Sequence, residues 1–151
     1  METRKLGYTD LEFTTVGLGT WAIGGPWEYG WGPQDDENSI KTIHEALDAG
    51  INWIDTAPIY GCGHSEEVVG TALKHVSYKP LIATKCGLRW NERREKINNL
   101  RAESIIKECE ESLERLGVEV IDLYQMHWAE PDNMIEEAFG AMAKCVEQGK
   151  V

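Results

Sequence analysis

The feature that most constrains this chain is a hydrophobic period that switches repeatedly between about two and about 3.6 residues. A strand repeats its inward side chains every second residue and a helix every 3.6, so the switching predicts strands alternating with helices. Residues 3–6 and 11–14 flank the turn Gly7-Tyr8-Thr9-Asp10 and read as an opening hairpin. Residues 16–20 read as the first core strand, followed by a long loop, 21–36, crowded with glycine and proline. The first helix, 37–49, buries Ile40, Ile43 and Leu47 and stops at Gly50. A strand over 51–55 leads to a helix after Ser65, read as its N-cap, with Val68, Val69, Ala72 and Leu73 inward. The strand 80–85 precedes a third helix, 101–116, with Ala102, Ile105, Ile106, Cys109, Leu113 and Leu116 on one face. Its outer face offers Glu103–Lys107 and Glu111–Arg115 as i,i+4 pairs. The strand 120–127 and a helix capped by Asp132, with the stripe Ile135, Ala138, Phe139, Met142 and Val146, complete the pattern.

A hairpin followed by four β-α units predicts an α/β fold of parallel strands joined by crossovers, with the helices outside. Two architectures fit, an open doubly wound sheet and a β/α barrel. The length, 151 residues at 42% apolar content, suits one domain with a real core. The 15 basic against 26 acidic residues give a net charge of −11, which argues against nucleic acid and anionic lipid as partners. No run approaches the ~20 apolar residues of a membrane span, so no membrane role is expected. The first five residues are followed by no apolar signal-type run. Cys62, Cys86, Cys109 and Cys145 form no C-x-x-C pair, so neither a disulfide nor a zinc framework is expected. A reducing cytoplasm is the expected compartment. His44, His64 and His75 lack metal-ligand spacing, and the two G-x-G pairs, 17–19 and 61–63, lack the third glycine of a dinucleotide fingerprint.

Three successive strands each close on one ionisable residue: Asp55, Lys85 and His127. Active sites of parallel-sheet folds are built at that carboxyl end. Singly, each has an ordinary reading: Asp55 a turn cap, Lys85 the first solvated loop residue, His127 a packing histidine, and Tyr60, five residues after Asp55, a loop aromatic. Their convergence points to chemistry. A phenol is a poor acid at neutral pH, and an ammonium beside it stabilises the phenolate left behind. Asp55 could hold that ammonium, and His127 could donate a hydrogen bond to a carbonyl oxygen. Such a set suits reduction of a carbonyl by a bound nicotinamide. Trp27, Trp31, Trp90 and Trp128 fall on the mouth side, where Trp27, Trp90 and above all Trp128 are candidates to line a substrate pocket. Arg89, Arg93, Arg94 and Lys96 read as a solvated basic loop.

The segment 50–66, G-I-N-W-I-D-T-A-P-I-Y-G-C-G-H-S-E, closely resembles the aldo-keto reductase signature around its Asp and Tyr. Val16-Gly17-Leu18-Gly19-Thr20-Trp21, Ile82-Ala83-Thr84-Lys85 and residues 121–128 resemble the family's first, third and fourth strands, in order. The resemblance implies a TIM-type (β/α)8 barrel, present here as the first four β/α units plus the hairpin, with residues 1–151 forming the amino-terminal half of one domain. It implies an NADP(H) cofactor without metal, and Asp55, Tyr60, Lys85 and His127 as the catalytic tetrad. It also implies Gly19, Thr20, Trp21 and Asp55 near the nicotinamide and its ribose, and a small carbonyl compound as substrate.

A whole barrel takes roughly 250 residues. A four-stranded half exposes sheet edges and an apolar inner face, so self-association or a complementary half-barrel is expected, with weak NADPH binding by the chain alone. A half-barrel that keeps the motifs without activity is the competing reading. A third is an aldolase-like lyase using Lys85 as a Schiff-base amine, which an Asp55 partner disfavours by keeping the lysine protonated.

Overall fold

A computed structural model describes all residues, 1–151. Four parallel strands form its sheet: β3 (Leu18–Gly19), β4 (Trp53–Asp55), β5 (Leu81–Cys86) and β8 (Leu123–Met126), in that spatial order. Spatial order follows chain order without a reversal. A doubly wound sheet needs such a reversal, so these strands run as the staves of a barrel do. The opening hairpin, β1 (Thr3–Lys5) with β2 (Glu12–Thr14), is tied to the start of β4. Asn52 accepts from the Thr14 N–H at 2.8 Å and donates to the Glu12 carbonyl at 2.8 Å, while the Trp53 indole donates to the Thr14 carbonyl at 2.9 Å. The same indole fills the space beside Gly17, where a Cβ would come within 2.1 Å of the ring.

Helices α1 (Asp36–Asp48), α2 (His64–Leu73), α3 (Ala102–Leu116) and α4 (Ile135–Glu147) follow their strands in turn and pack as sequential neighbours. Two apolar clusters lie between helices and sheet. One joins Ile43, Leu47, Val68, Val69 and Ala72 to Ile54 and Ile82, and the other joins Ile105, Cys109, Ala138, Ala141 and Cys145 to Cys86, Ile121 and Tyr124. Alternation decides what each strand sends where. Ile54, Ile82, Thr84, Cys86 and Tyr124 are buried on the helix side, whereas Trp53, Asp55, Leu81, Lys85, Leu123 and Gln125 are only partly buried. No helix is long and apolar enough to cross a membrane.

Several local expectations are corrected. The segment after β5 is not a solvated loop: β6 (Leu88–Trp90) and β7 (Lys96–Asn98) pair as an antiparallel hairpin. Its turn is closed by the Asn91 side chain, which accepts from the N–H groups of Arg93 and Glu95. Its basic residues scatter, with Arg89 paired to Glu111 and Arg94 donating to the Gly61 carbonyl. Ser65 does not cap α2; left-handed Gly63 precedes the helix, and the Ser65 hydroxyl is buried in hydrogen bonds to Thr20. Asp132 lies in a single 3-10 turn ahead of α4 and caps nothing. Lys107 reaches Glu111 rather than Glu103. In α4 the buried face is Ala138, Ala141 and Cys145, and the larger Phe139 and Val146 are 57% and 56% exposed. Ile135 and Met142 of the expected stripe are half-buried against the same cluster, so only Phe139 and Val146 turn outward.

Candidate active site

Asp55 ends β4, Lys85 lies one residue before the end of β5, and His127 follows β8, so parity sends all three to the partly open face. The ladder continues past the strand ends, with the Thr56 N–H donating to the Ala83 carbonyl and the His127 N–H to the Cys86 carbonyl, both at 2.9 Å. Tyr60 arrives on a tight turn packed against the 3-10 turn Ala22–Gly24. A Cβ at Gly24 would sit 2.7 Å from the Tyr60 carbonyl carbon, so only glycine permits this approach.

These four side chains meet. The Lys85 ammonium donates to both Asp55 oxygens at 2.9 and 2.8 Å, to the Thr56 carbonyl at 2.9 Å and to the Tyr60 phenol oxygen at 3.3 Å. The Tyr60 and His127 rings stand edge-on, 5.7 Å between centroids. Burial and the Lys85 charge push the His127 imidazole down to about 4, so it is neutral at pH 7. Its Nδ1 is buried without a hydrogen-bond partner. A buried bare acceptor is less costly than a buried orphan N–H, so the proton belongs on Nε2. The nearby Cys86 thiol is pushed up to about 12 by burial and stays protonated.

A cavity of about 260 Å³ opens over Tyr60 and His127, lined also by Trp21, Trp27, Tyr29, Ile59, Leu88, Lys96 and Trp128. Trp27 and Trp128 border it. Trp90 does not line it; its ring lies 6.0 Å from the Arg115 guanidinium, beside Gly63. Leu88 and Lys96 reach it from the β6–β7 hairpin, which has the sequence pattern of a loop, and Tyr29 reaches it from the long loop before α1. A larger hollow at the opposite end of the strands, around Gly70, Pro80 and Asp122, contains none of the four converging residues.

Gly19, Trp21 and Asp55 present open surface suited to a flat heterocycle and its ribose. A Cβ at Gly19 would meet nothing within 4 Å, and Trp21 is 44% exposed. Thr20 is different. It is fully buried, its hydroxyl donates to the Asp55 carbonyl at 3.1 Å and accepts from Ser65 at 2.9 Å, so it fixes the Asp55 backbone from behind.

The sequence model of the Aldo/keto reductase family matches residues 15–151. The chain is 43% identical over 153 residues to Aldo-keto reductase YhdN of Bacillus subtilis, covering 100% of this chain and 45% of that protein. It is 44% identical over 140 residues to an NADH-specific methylglyoxal reductase of Escherichia coli, covering 85% and 42% respectively. Among solved structures it superposes on the glycerol dehydrogenase AKR11B4 of Gluconobacter oxydans with a TM-score of 0.87 at 47% identity, covering 98% of this chain and 46% of that one. The holo form of the aldo-keto reductase AKR11C1 of Bacillus halodurans gives 0.87 at 31% identity, covering 99% and 48%. The chain therefore spans about half the length of the curated relatives it matches.

Proposed function

This chain belongs to the aldo/keto reductase family, and we propose that it forms the amino-terminal half of one reductase barrel and carries the proton-transfer machinery for reducing aldehydes or ketones. A nicotinamide cofactor, in our reading NADPH, supplies a hydride to the carbonyl carbon when bound. Gly19, Trp21 and Asp55 would hold its nicotinamide end. Tyr60 gives its phenolic proton to the carbonyl oxygen. Lys85 donates to the Tyr60 oxygen and stabilises the phenolate, while both Asp55 oxygens keep the ammonium aimed. Neutral His127 donates from Nε2 to the same carbonyl oxygen and aligns it.

The observation that carries this reading is the 3.3 Å contact between the Lys85 ammonium and the Tyr60 phenol, backed by the bidentate Asp55 contact. That pairing also argues against the lyase reading, since a lysine held by a carboxylate stays protonated and is a poor nucleophile. Borohydride treatment with a carbonyl substrate is expected to leave no adduct on Lys85.

Carbonyl-dependent oxidation of NADPH, with NADH in parallel, is the test, run on this chain and on a version extended beyond Val151. Turnover by the extended version supports the assignment. Absence of turnover in both, with either cofactor, supports a half-barrel without catalytic activity instead.

A further inference from the structure

We propose that Lys96 is a specificity-determining residue, and that the substrate is a short aldehyde or keto acid whose carboxylate pairs with it. This rests on the reductase reading for the carbonyl end, and adds the chemistry of the other end. Lys96 is the only charged residue lining the cavity that contains Tyr60 and His127; the other eight are aromatic or aliphatic apart from the imidazole. Its ammonium lies 4.0 Å from the centroid of the Trp128 ring, and Trp128 in turn packs edge-on against His127. One indole therefore separates the cation from the residue that would orient the carbonyl.

Other cations near this mouth are engaged by acids or backbone, Lys85 by Asp55, Arg89 by Glu111 and Arg94 by the Gly61 carbonyl, whereas Arg93 lies exposed on the hairpin turn and does not line the cavity. Lys96 makes no ion pair. Its hydrogen bond goes to the amide oxygen of Asn98 at 3.2 Å, and the Asn98 amide nitrogen donates to Glu130 at 2.9 Å. Asn98 thus stands between the ammonium and the neighbouring carboxylate. In a chain with 26 acidic and 15 basic residues, a half-buried cation kept from an acid and laid on an aromatic wall is left without a counterion, open to an anionic ligand. The indole face holds the ammonium at the cavity wall, so an arriving carboxylate loses little to side-chain ordering. At about 260 Å³ the cavity suits a compound of a few carbons.

The test measures binding to the chain by quenching of tryptophan fluorescence, since Trp21, Trp27 and Trp128 line the cavity. The probes are 4-oxobutanoate, its methyl ester, and butanoate, which has a carboxylate and no carbonyl. Both acids are expected to bind at least about tenfold more tightly than the ester. Lys96→Met keeps the stem against Trp128 and removes the charge; it is expected to erase that preference, and Lys96→Arg to retain it. Equal binding of acid and ester by the unmodified chain, or a preference that survives Lys96→Met, would overturn the proposal. If a form reduces uncharged aldehydes as fast as 4-oxobutanoate, the substrate assignment is overturned while the reductase reading stands; if no form reduces any carbonyl although both acids bind through Lys96, the reductase reading and the substrate assignment fall and only the carboxylate site remains.

Discussion

The two faces of the parallel sheet both hold a carboxylate against a cation, in very different settings. On the helix side, Glu66 of α2 is completely buried and accepts from Arg115 at 2.7 Å and from the Thr84 hydroxyl at 2.6 Å. Glu108 of α3 is also buried and accepts from the Gly87 N–H and from Ser104, both at 2.9 Å. On the other face the Asp55 and Lys85 side chains are 30% and 14% exposed, and beside them His127 keeps a buried nitrogen unpaired. Hydrogen bonds on the helix side are closed among protein groups, which fixes the strands. On the open face the Tyr60 hydroxyl accepts from Lys85 and donates to no protein group, and the His127 ring makes no hydrogen bond within the protein, so both remain available to a ligand. The comparison teaches that ionic groups in one sheet divide between holding the scaffold and doing chemistry according to what remains unsatisfied around them.

The contrast breaks most visibly at Glu66. Glu66→Ala orphans the buried Thr84 hydroxyl and leaves the Arg115 guanidinium, 15% exposed, only Ser112 at 3.3 Å and Glu111 at 3.9 Å, so urea denaturation is expected to show a loss of about 3 kcal/mol. A loss below about 1 kcal/mol would mean that water replaces the pair easily.

His127 and Glu108 sharpen the comparison through pH. The folded His127 titrates near 4 against an ordinary 6.5, because burial and then Lys85 disfavour its charged form. Between those values the unfolded chain takes up a proton that the folded chain refuses. Its contribution is therefore intact above pH 6.5 and is lost as pH falls, by at most about 3 kcal/mol. Glu108 runs the other way. Burial pushes it from 4.5 up to about 7, against the hydrogen bonds from Ser104 and Gly87, so stability falls as pH rises across that range. The two slopes oppose between pH 4.5 and 6.5. Denaturation midpoints are expected to vary little there in the unmodified chain, and Glu108→Gln is expected to expose a steeper loss toward acid.

Helix α4 offers a smaller test. Ala141→Leu overfills the buried side and is expected to cost about 1–3 kcal/mol. Phe139→Ser, on the exposed side, is expected to change stability by less than about 0.5 kcal/mol in the dissociated chain. If the chain self-associates through this stripe, Phe139→Ser shifts sedimentation toward the monomer; association through the sheet edges or the inner face leaves it unchanged.

The order of strands and helices was legible because every unit is amphipathic with its proper period, and the strand-end residues were legible because alternation puts Asp55 and Lys85 on one face. Other features were not. The β6–β7 turn places Arg94 at φ 62 without a glycine, so its only sequence signal was the Asn91 side chain. The burial of Glu66 and Glu108 has no sequence signal, since charge pattern alone does not reveal a partner on another element. Ser104, Glu108 and Ser112, spaced by four, in fact form one buried polar stripe along α3. On α4, Ile135, Ala138 and Met142 pack inward as expected, but apolarity alone does not tell small buried residues from large exposed ones. Ala138, Ala141 and Cys145 bury completely or nearly so where Phe139 and Val146 do not.

The most direct test of the central claim, that Tyr60 delivers the proton, removes its single oxygen. Tyr60→Phe, made in whichever form oxidises NADPH, is expected to lower carbonyl-dependent turnover by about 10²–10⁴ while leaving the thermal midpoint essentially unchanged. Turnover retained within a few-fold of the unmodified protein would contradict the account.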